Sequence, residues 1–411
     1  MIKKIIISAC LLISFVSFAQ EGTASPYSFY GIGENRFKGT IEYRSMGGVA
    51  IEQDSIHLNI ENPSSYANLK QTVFTVGGTF ASTTLKSSDA SEKAQRSTFD
   101  YLAVGIPMGK FGAAFGLVPL SSVGYKIQEN NTATEGATST QLNGKGGVNK
   151  VFFGLGYKIK PNWSIGADLQ YNFGKITTTS IEGVTGVQNE TAEVNTSELS
   201  GVNFNIGSMY QRKITKKMSL FTSLNYTFAS SLNSNSTRVI SVNGDPEPFE
   251  YPAQETNLKL PNKVTIGAGV GEARKWLVGT TLAFQGNGRL ANYYNTMDNV
   301  QYEKYAKYAI GGYYIPNYAS FNSYFSRITY RAGLKYEKLG IVVNNESIND
   351  VGMSLGAGIP ILGSGSFSNV NVGIEFGKRG TVTSGLIQEN YFNFNLSFSF
   401  NDRWFVKSKF N

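Results

Sequence analysis

The sequence predicts an all-β fold, a transmembrane antiparallel β-barrel of about fourteen strands with an N-terminal plug. Three observations predict it. Side-chain polarity alternates with period two from Thr72 onward, short and long connections alternate between the runs, and the composition is poor in charge. Only 16% of the 411 residues are charged, against about 25% in soluble domains, while 45 are Gly and 13% aromatic.

Residues 1–19 carry Lys3-Lys4, an apolar run from Ile5 to Phe18, and Ser17-Phe18-Ala19 before Gln20. These are the charged, apolar and small-residue regions of a cleaved export signal. The apolar run is too short for a comfortable membrane-spanning helix. Ile7-Ser8-Ala9-Cys10 looks like a lipoprotein cleavage box, but an apolar run would follow that cut, so ordinary export is expected.

Residues 20–71 lack sustained alternation and cluster turn residues, among them Gly31, Gly33, Gly39, Gly47, Gly48, Asn62 and Pro63. Gly31-Ile32-Gly33 is no dinucleotide fingerprint, because Arg36 stands where the third glycine belongs and no strand precedes it. Such a segment either hangs in the periplasm or folds back as a plug. Its length favours the plug, since a fourteen-strand cylinder is too wide for side chains alone to fill.

The barrel itself is expected over residues 72–401. In 389–401, Phe392, Phe394, Leu396, Phe398 and Phe400 alternate with Asn393, Asn395, Ser397 and Ser399. The stretch 163–174 sets Trp163, Ile165, Leu169, Tyr171 and Phe173 against Ser164, Asp168, Gln170 and Asn172. In 327–337, Ile328, Tyr330, Leu334 and Tyr336 face one way, and Arg327, Arg331, Lys335 and Glu337 the other. Successive strand side chains point to opposite faces, so each run has one apolar and one polar face. Such runs fall near 72–87, 97–109, 111–127, 147–160, 162–175, 197–213, 218–230, 259–272, 276–288, 304–316, 323–337, 350–362, 366–378 and 389–401. Short links such as Gly109-Lys110 and Lys160-Pro161-Asn162 alternate with long polar ones at 88–96, 128–146, 176–196, 231–258, 289–303, 338–349 and 379–388. One rim with tight turns and one with loops is the pattern of an outer-membrane barrel. A soluble sandwich fits less well, because runs of ten or more residues recur and the polar face carries Gly, Asn and Ser rather than Lys and Glu. Residues 402–411 form a tail.

Cys10, the single cysteine, lies in the leader, and His57 is the only histidine. Disulfides, thiolate metal sites and multi-histidine sites are thereby excluded, and no enzyme, metal or cofactor is expected. The formal net charge of +8 comes from scattered lysines without a polybasic run, so nucleic acid is not an expected partner. His57 reads as structural. Asp168 and Glu375 face inward by parity but are too far apart in sequence to suggest an acid–base pair. Tyr293, Tyr294, Tyr302, Tyr305, Tyr308, Tyr313 and Tyr314 read as an aromatic cluster near the outer rim.

Arg44-Ser45-Met46-Gly47-Gly48-Val49-Ala50, then Asp54, then Asn62-Pro63-Ser64 resembles the start of the FadL/TodX-like outer-membrane transporters of long-chain fatty acids and other hydrophobic compounds. Ser64 stands where that family has Ala. Leu258-Lys259-Leu260-Pro261 leading into Val264–Val270 and Trp276 also resembles the family, as does Gly156-Tyr157 through Trp163–Gly166. The closing Asp402–Lys407 and the Tyr-rich Tyr305–Tyr318 stretch look like a Bacteroidetes-type branch. The resemblance implies a hatch with gate residues Gly47, Gly48, Asp54, Asn62 and Pro63. It also implies a pocket for an apolar ligand and a sideways exit at an inward kink of the third strand. That strand reads Phe115-Gly116-Leu117-Val118-Pro119 and on to Gly124, and proline cannot donate to a β-ladder. Arg327, Arg331 and Lys335, on one face of one strand, are candidate contacts for a ligand head group.

The resulting expectation is a monomeric outer-membrane barrel passively importing hydrophobic small molecules, in contact with outer-membrane lipids. The alternative is a sealed barrel serving as structural or assembly partner of other envelope proteins. An apolar pocket and a breached wall at the third strand would favour the first, and an unbroken wall the second.

Overall fold

In the computed structural model, the described residues are 22–131, 137–242, 247–288, 299–320, 322–361 and 368–404. The expected export signal and most of the tail lie outside them, as does the link at 363–365. The strands form one closed antiparallel cylinder. In chain order they are β1 (Thr72–Lys86), β2 (Ser91–Met108), β3 (Phe111–Asn131), β4 (Thr138–Lys160), β5 (Trp163–Val184) and β6 (Thr191–Lys213). Then come β7 (Ser219–Thr227 and Ser230–Val242), β8 (Phe249–Leu260 and Lys263–Glu272), β9 (Trp276–Gln285) and β10 (Val300–Tyr302 and Tyr305–Tyr314). β11 (Thr329–Val343), β12 (Glu346–Pro360), β13 (Asn369–Arg379) and β14 (Gln388–Asp402) complete it. β14 pairs with β1 from Gln388↔Lys86 to Asp402↔Thr72, which removes both free sheet edges.

The fourteen expected runs each correspond to one of these strands. On β14, Phe394 is 41% exposed and its neighbour Asn395 1%, the signature of an apolar outer face and a packed polar interior. The expected long loops at 128–146, 176–196 and 231–258 are instead largely ladder: β3 and β4 stay paired out to Asn131↔Thr138, β5 and β6 out to Glu182↔Thr191, and β7 and β8 out to Ile240↔Phe249. Beyond the hydrocarbon zone neither face needs apolar side chains, so the alternation fades while the backbone hydrogen bonds continue.

The N-terminal segment from Gly22 to Gln71 lies inside the cylinder. It holds a short α-helix (Ile41–Arg44), a 3-10 helix (Pro63–Asn68) and a two-residue strand (Glu34–Asn35). Ile41, Leu58, Ile60, Tyr66 and Leu69 pack against Val73, Tyr101, Val118 and Phe152 of the wall. Met46, Val49 and Ile51 pack against Phe221, Leu277 and Ala309. Glycines on the wall's inner face let backbone approach backbone: a Cβ at Gly156 would stand 2.8 Å from the Pro63 carbonyl oxygen.

Candidate functional site

The expected gate residues sit where the N-terminal segment meets the wall. Gly47 and Gly48 adopt φ +69° and +96°, and a Cβ on Gly47 would lie 2.8 Å from the Leu334 carbonyl oxygen. The Gly47 amide donates to Ser354 Oγ at 3.0 Å. Asn62 caps the 3-10 helix, its Oδ1 accepting from Ser64 N (3.1 Å) and Ser64 Oγ (2.6 Å), and its Nδ2 donates to the Leu224 carbonyl at 3.2 Å. The serine that departs from the resembled motif thus supplies a second donor to the cap. Pro63 opens that helix, where its missing N–H costs nothing.

Asp54 Oδ1 accepts from the Ile56 amide (2.8 Å), and Oδ2 lies 2.6 Å from His57 Nδ1. Burial would raise the Asp54 carboxyl, but His57 and backbone amides outweigh it and bring it down to about 2. His57, which burial alone would push down, is held above its ordinary value by Asp54. Glu52, accepting from the Tyr313 phenol at 2.8 Å, is pushed up to about 7 by burial and then by the Asp54 charge.

Arg44 clamps the segment to the wall. Its guanidinium is bidentate to Glu375 of β13 (2.9 and 3.1 Å) and donates to Asp100 of β2 at 2.7 Å. Arg379 of β13 meets Glu34 (2.8 Å), Glu389 (3.2 Å) and Asp350 (3.4 Å). Burial alone would raise the Glu34 carboxyl, yet Arg379, Lys38, Arg96 and Arg36 together hold it well below its ordinary range.

The wall is interrupted at the third strand. β2 and β3 are paired only from Leu102↔Leu117 to Met108↔Phe111, and above that point no pairing joins them among the described residues. There β3 keeps its partner β4, with a register shift between Pro119 and Ser121, while β2 keeps β1 through Ser91. Pro119 therefore sits two residues above the end of the pairing. Phe115 faces outward, 45% exposed. Gly116 is opposite Ala103, where the Leu102 carbonyl leaves no room for a Cβ. The Gly124 amide donates to Ser28 Oγ at 3.1 Å.

The interruption is bridged from inside. Glu34 and Asn35 pair with Ser122 and Ser121 of β3, and the Arg36 amide donates to the Leu120 carbonyl at 3.0 Å. Arg36 then reaches back to Asp100 of β2 at 3.1 Å, and Arg96 of β2 lies 3.8 Å from Glu34. The N-terminal segment thus ties together two strands where their own pairing has stopped.

The basic trio does not form a common site. Arg327 lies in a 3-10 turn (Phe325–Arg327) ahead of β11, its guanidinium over the Tyr324 ring at 5.5 Å. Ile328, read as outward, is buried at that turn. Arg331 and Lys335 face inward as parity requires, but Arg331 donates to Asn371 (3.0 Å) and Lys335 is paired with Asp350 (3.3 Å). The tyrosine cluster divides too. Tyr305 and Tyr313 point inward to Glu337 and Glu52, whereas Tyr308 and Tyr314 face outward at 44% and 52% exposure. Tyr314 is opposite Trp276, at the short-turn rim rather than the outer one, and Tyr293 and Tyr294 lie outside the described residues.

Between the N-terminal segment and the inner faces of β3 to β11 and β13 lies a cavity of ≈ 320 Å³. Its lining is mixed, with more apolar than polar surface. Carboxamides of Gln170, Asn172, Asn203, Asn205 and Asn225 line one side, beside Ile32, Phe37, Ile60, Leu120, Leu260, Tyr302 and Tyr305. Asp100, Arg379, Glu34 and Arg36 went unnoticed in the sequence, although the inward parity of Asp100 against the outward Phe99 was a signal for it.

The family model described as BamG matches residues 1–411. The chain belongs to the BamG family. No curated protein matches this BamG-family chain. Among solved structures, the Pseudomonas putida toluene transporter TodX is similar at 16% identity and TM-score 0.60, over 91% of this chain and 100% of that one. A Pseudomonas aeruginosa FadL homologue is similar at 11% identity and TM-score 0.58, over 90% of this chain and 99% of that one. At these identities the likeness establishes a shared fold, the FadL/TodX-type barrel.

Proposed function

We propose that this chain is an outer-membrane channel through which hydrophobic or amphipathic small molecules pass, leaving sideways between β2 and β3. The observation that carries this reading is the missing ladder above Leu102 and Leu117, bridged by Glu34–Arg36 of the N-terminal segment. An unpaired strand edge is costly in hydrocarbon, so a wall that depends on a separable segment for closure is suited to opening. Similarity to a toluene transporter and a FadL homologue supports the same reading. In it the N-terminal segment is the hatch, with Gly47, Gly48, Asp54, Asn62 and Pro63 seating it, and apolar ligand burial, about 25 cal/mol per Å², drives entry. Arg331 and Lys335 hold the wall together rather than a ligand head group.

The test is uptake of 1-N-phenylnaphthylamine, which fluoresces once in membrane, by cells with and without the chain. Faster uptake with the chain supports the reading, and equal rates refute it. A second reading, a barrel serving other envelope proteins as a structural or assembly partner, is favoured by the buried ion pairs that pin the segment. It predicts that removing the chain depletes other outer-membrane proteins while uptake is unchanged.

A further inference from the structure

The cavity's inner wall carries an array of carboxamides on three neighbouring strands. Gln170 and Asn172 stand on β5, Asn203 and Asn205 on β6, and Asn225 on β7. Gln170 is opposite Asn203, and Asn205 opposite Thr227. Adjacent strands are about 5 Å apart and same-face residues about 7 Å apart along a strand, so polar groups repeat on a two-dimensional grid. Each carboxamide offers two donors and an acceptor. Gln170 and Asn205 each donate to the buried Asp168 carboxylate, at 2.6 and 2.9 Å, and the remaining groups only partly satisfy one another. Asn172 Nδ2 donates to Asn203 Oδ1, while Asn172 Oδ1, on a residue 1% exposed, has no partner among the described residues. Across the cavity the hydroxyl of Thr281, 7% exposed, is also without one, as is Asn225 Oδ1. Buried polar groups without partners are costly, and an acyl chain lying here would leave them so.

The charges bordering the cavity balance. Glu34, Glu61, Glu303 and Glu337 are matched by Lys38, Lys150, Lys263 and Arg379. Lys150 and Lys263 lie over aromatic faces, at 5.7 Å from the Phe37 centroid and 5.9 Å from the Tyr305 centroid. The surroundings therefore favour neither an anion nor a cation. A volume of ≈ 320 Å³ falls within the range of small-molecule sites, roughly 300–1,000 Å³.

We propose that this cavity is a binding site for a neutral polyhydroxylated ligand of one or two sugar rings. Vicinal hydroxyls would exchange hydrogen bonds with the Gln170–Asn172–Asn203–Asn205 array, and the tyrosines opposite would cover the ring faces. The inference rests on reading the lumen as a ligand route, and it names the polar part of what travels there.

Calorimetric titration of the purified full chain, held in a detergent without a sugar head group, tests it. The probes are sucrose, maltose and chitobiose, with laurate and trialanine as the apolar-anion and peptide alternatives. At least one disaccharide is expected to bind saturably in the millimolar range or tighter, weakened about tenfold by Asn172→Leu or Asn203→Leu. Asn225→Leu, at a less buried position, serves if either variant fails to give folded barrel. No disaccharide binding at about 10 mM, binding unaffected by these variants, or tighter binding of laurate or trialanine each overturns the proposal. Disaccharide binding with no chain-dependent uptake of the tracer would refute the route alone, and uptake without disaccharide binding would refute this site alone.

Discussion

Arg44 offers the sharpest perturbation of the N-terminal segment. Its guanidinium, 6% exposed, neutralises Asp100 and Glu375, which are 4% and 6% exposed. Replacing it with Met keeps much of the volume but leaves those carboxylates deep in the lumen. Breaking a buried pair from one side costs about 3–5 kcal/mol, and Arg36, 3.1 Å from Asp100, offsets part of it. The lower end, about 3 kcal/mol, is therefore expected, and it corresponds to roughly a hundredfold rise in the undocked population. A cysteine placed at Ser354, beneath the Gly47 amide, reads that population, because no cysteine follows Cys10 in the sequence. Where reclosing is fast, maleimide labelling follows the opening equilibrium, so Arg44→Met should raise the rate about a hundredfold, with Arg44→Lys in between. A change under about threefold, with the barrel still folded by heat-modifiability, would refute the clamp assigned to Arg44.

The same reporter tests three further expectations. Glu52 is held at about 7 against an ordinary 4.5, so the docked segment binds a proton that the undocked one has released between those values. Docking is therefore favoured below 4.5 and loses that share as pH rises through about 7, as it does for His57 above its own raised value. Labelling at position 354, normalised to an exposed cysteine, should rise from pH 5 to 8 and rise less steeply in Glu52→Gln, where the His57 share remains; a flat parent profile contradicts this. Gly333→Val would press a side chain into the Met46–Gly47 backbone and should expose the reporter about fivefold to a hundredfold more, overpacking costing about 1–3 kcal/mol, and an unchanged rate contradicts the close approach. Asn62→Ala removes the acceptor for Ser64 N and Oγ, a loss of about 0.5–2 kcal/mol, so a severalfold faster labelling rate is expected and an unchanged rate contradicts the cap.

The strands were readable because their constraint is local. Lipid on one side and a packed interior on the other impose period two, so the alternation of Phe392 to Phe400 placed β14, and that of Trp163 to Phe173 placed β5. The outer reaches of β3 to β8 escaped detection because polar groups are tolerated there on both faces. Residues 20–71 gave only turn signals. Their partners lie around the whole cylinder, as when Arg44 meets both Asp100 and Glu375. Pro119 lies on a strand whose pairing with β2 stops short, but it does not itself end the pairing: β2 and β3 part at Leu102 and Leu117, where β3 leaves with β4. That Glu34 and Arg36 close the gap depends on a pairing register no local pattern encodes. Nor could parity separate Arg327, which the turn at 325–327 takes off the strand, from Arg331 and Lys335.

Asn35 is opposite Ser121, and because the Arg36 amide donates to Leu120, this neighbouring pair is the non-hydrogen-bonded kind, with Cα atoms about 4.5 Å apart and within disulfide reach. Asn35→Cys with Ser121→Cys would lock the bridging strand onto β3. If sideways release through the gap is how molecules leave, oxidised cells should take up 1-N-phenylnaphthylamine at the rate of cells lacking the chain and recover on reduction. Equal uptake by the oxidised and reduced forms, with the disulfide verified, would contradict it.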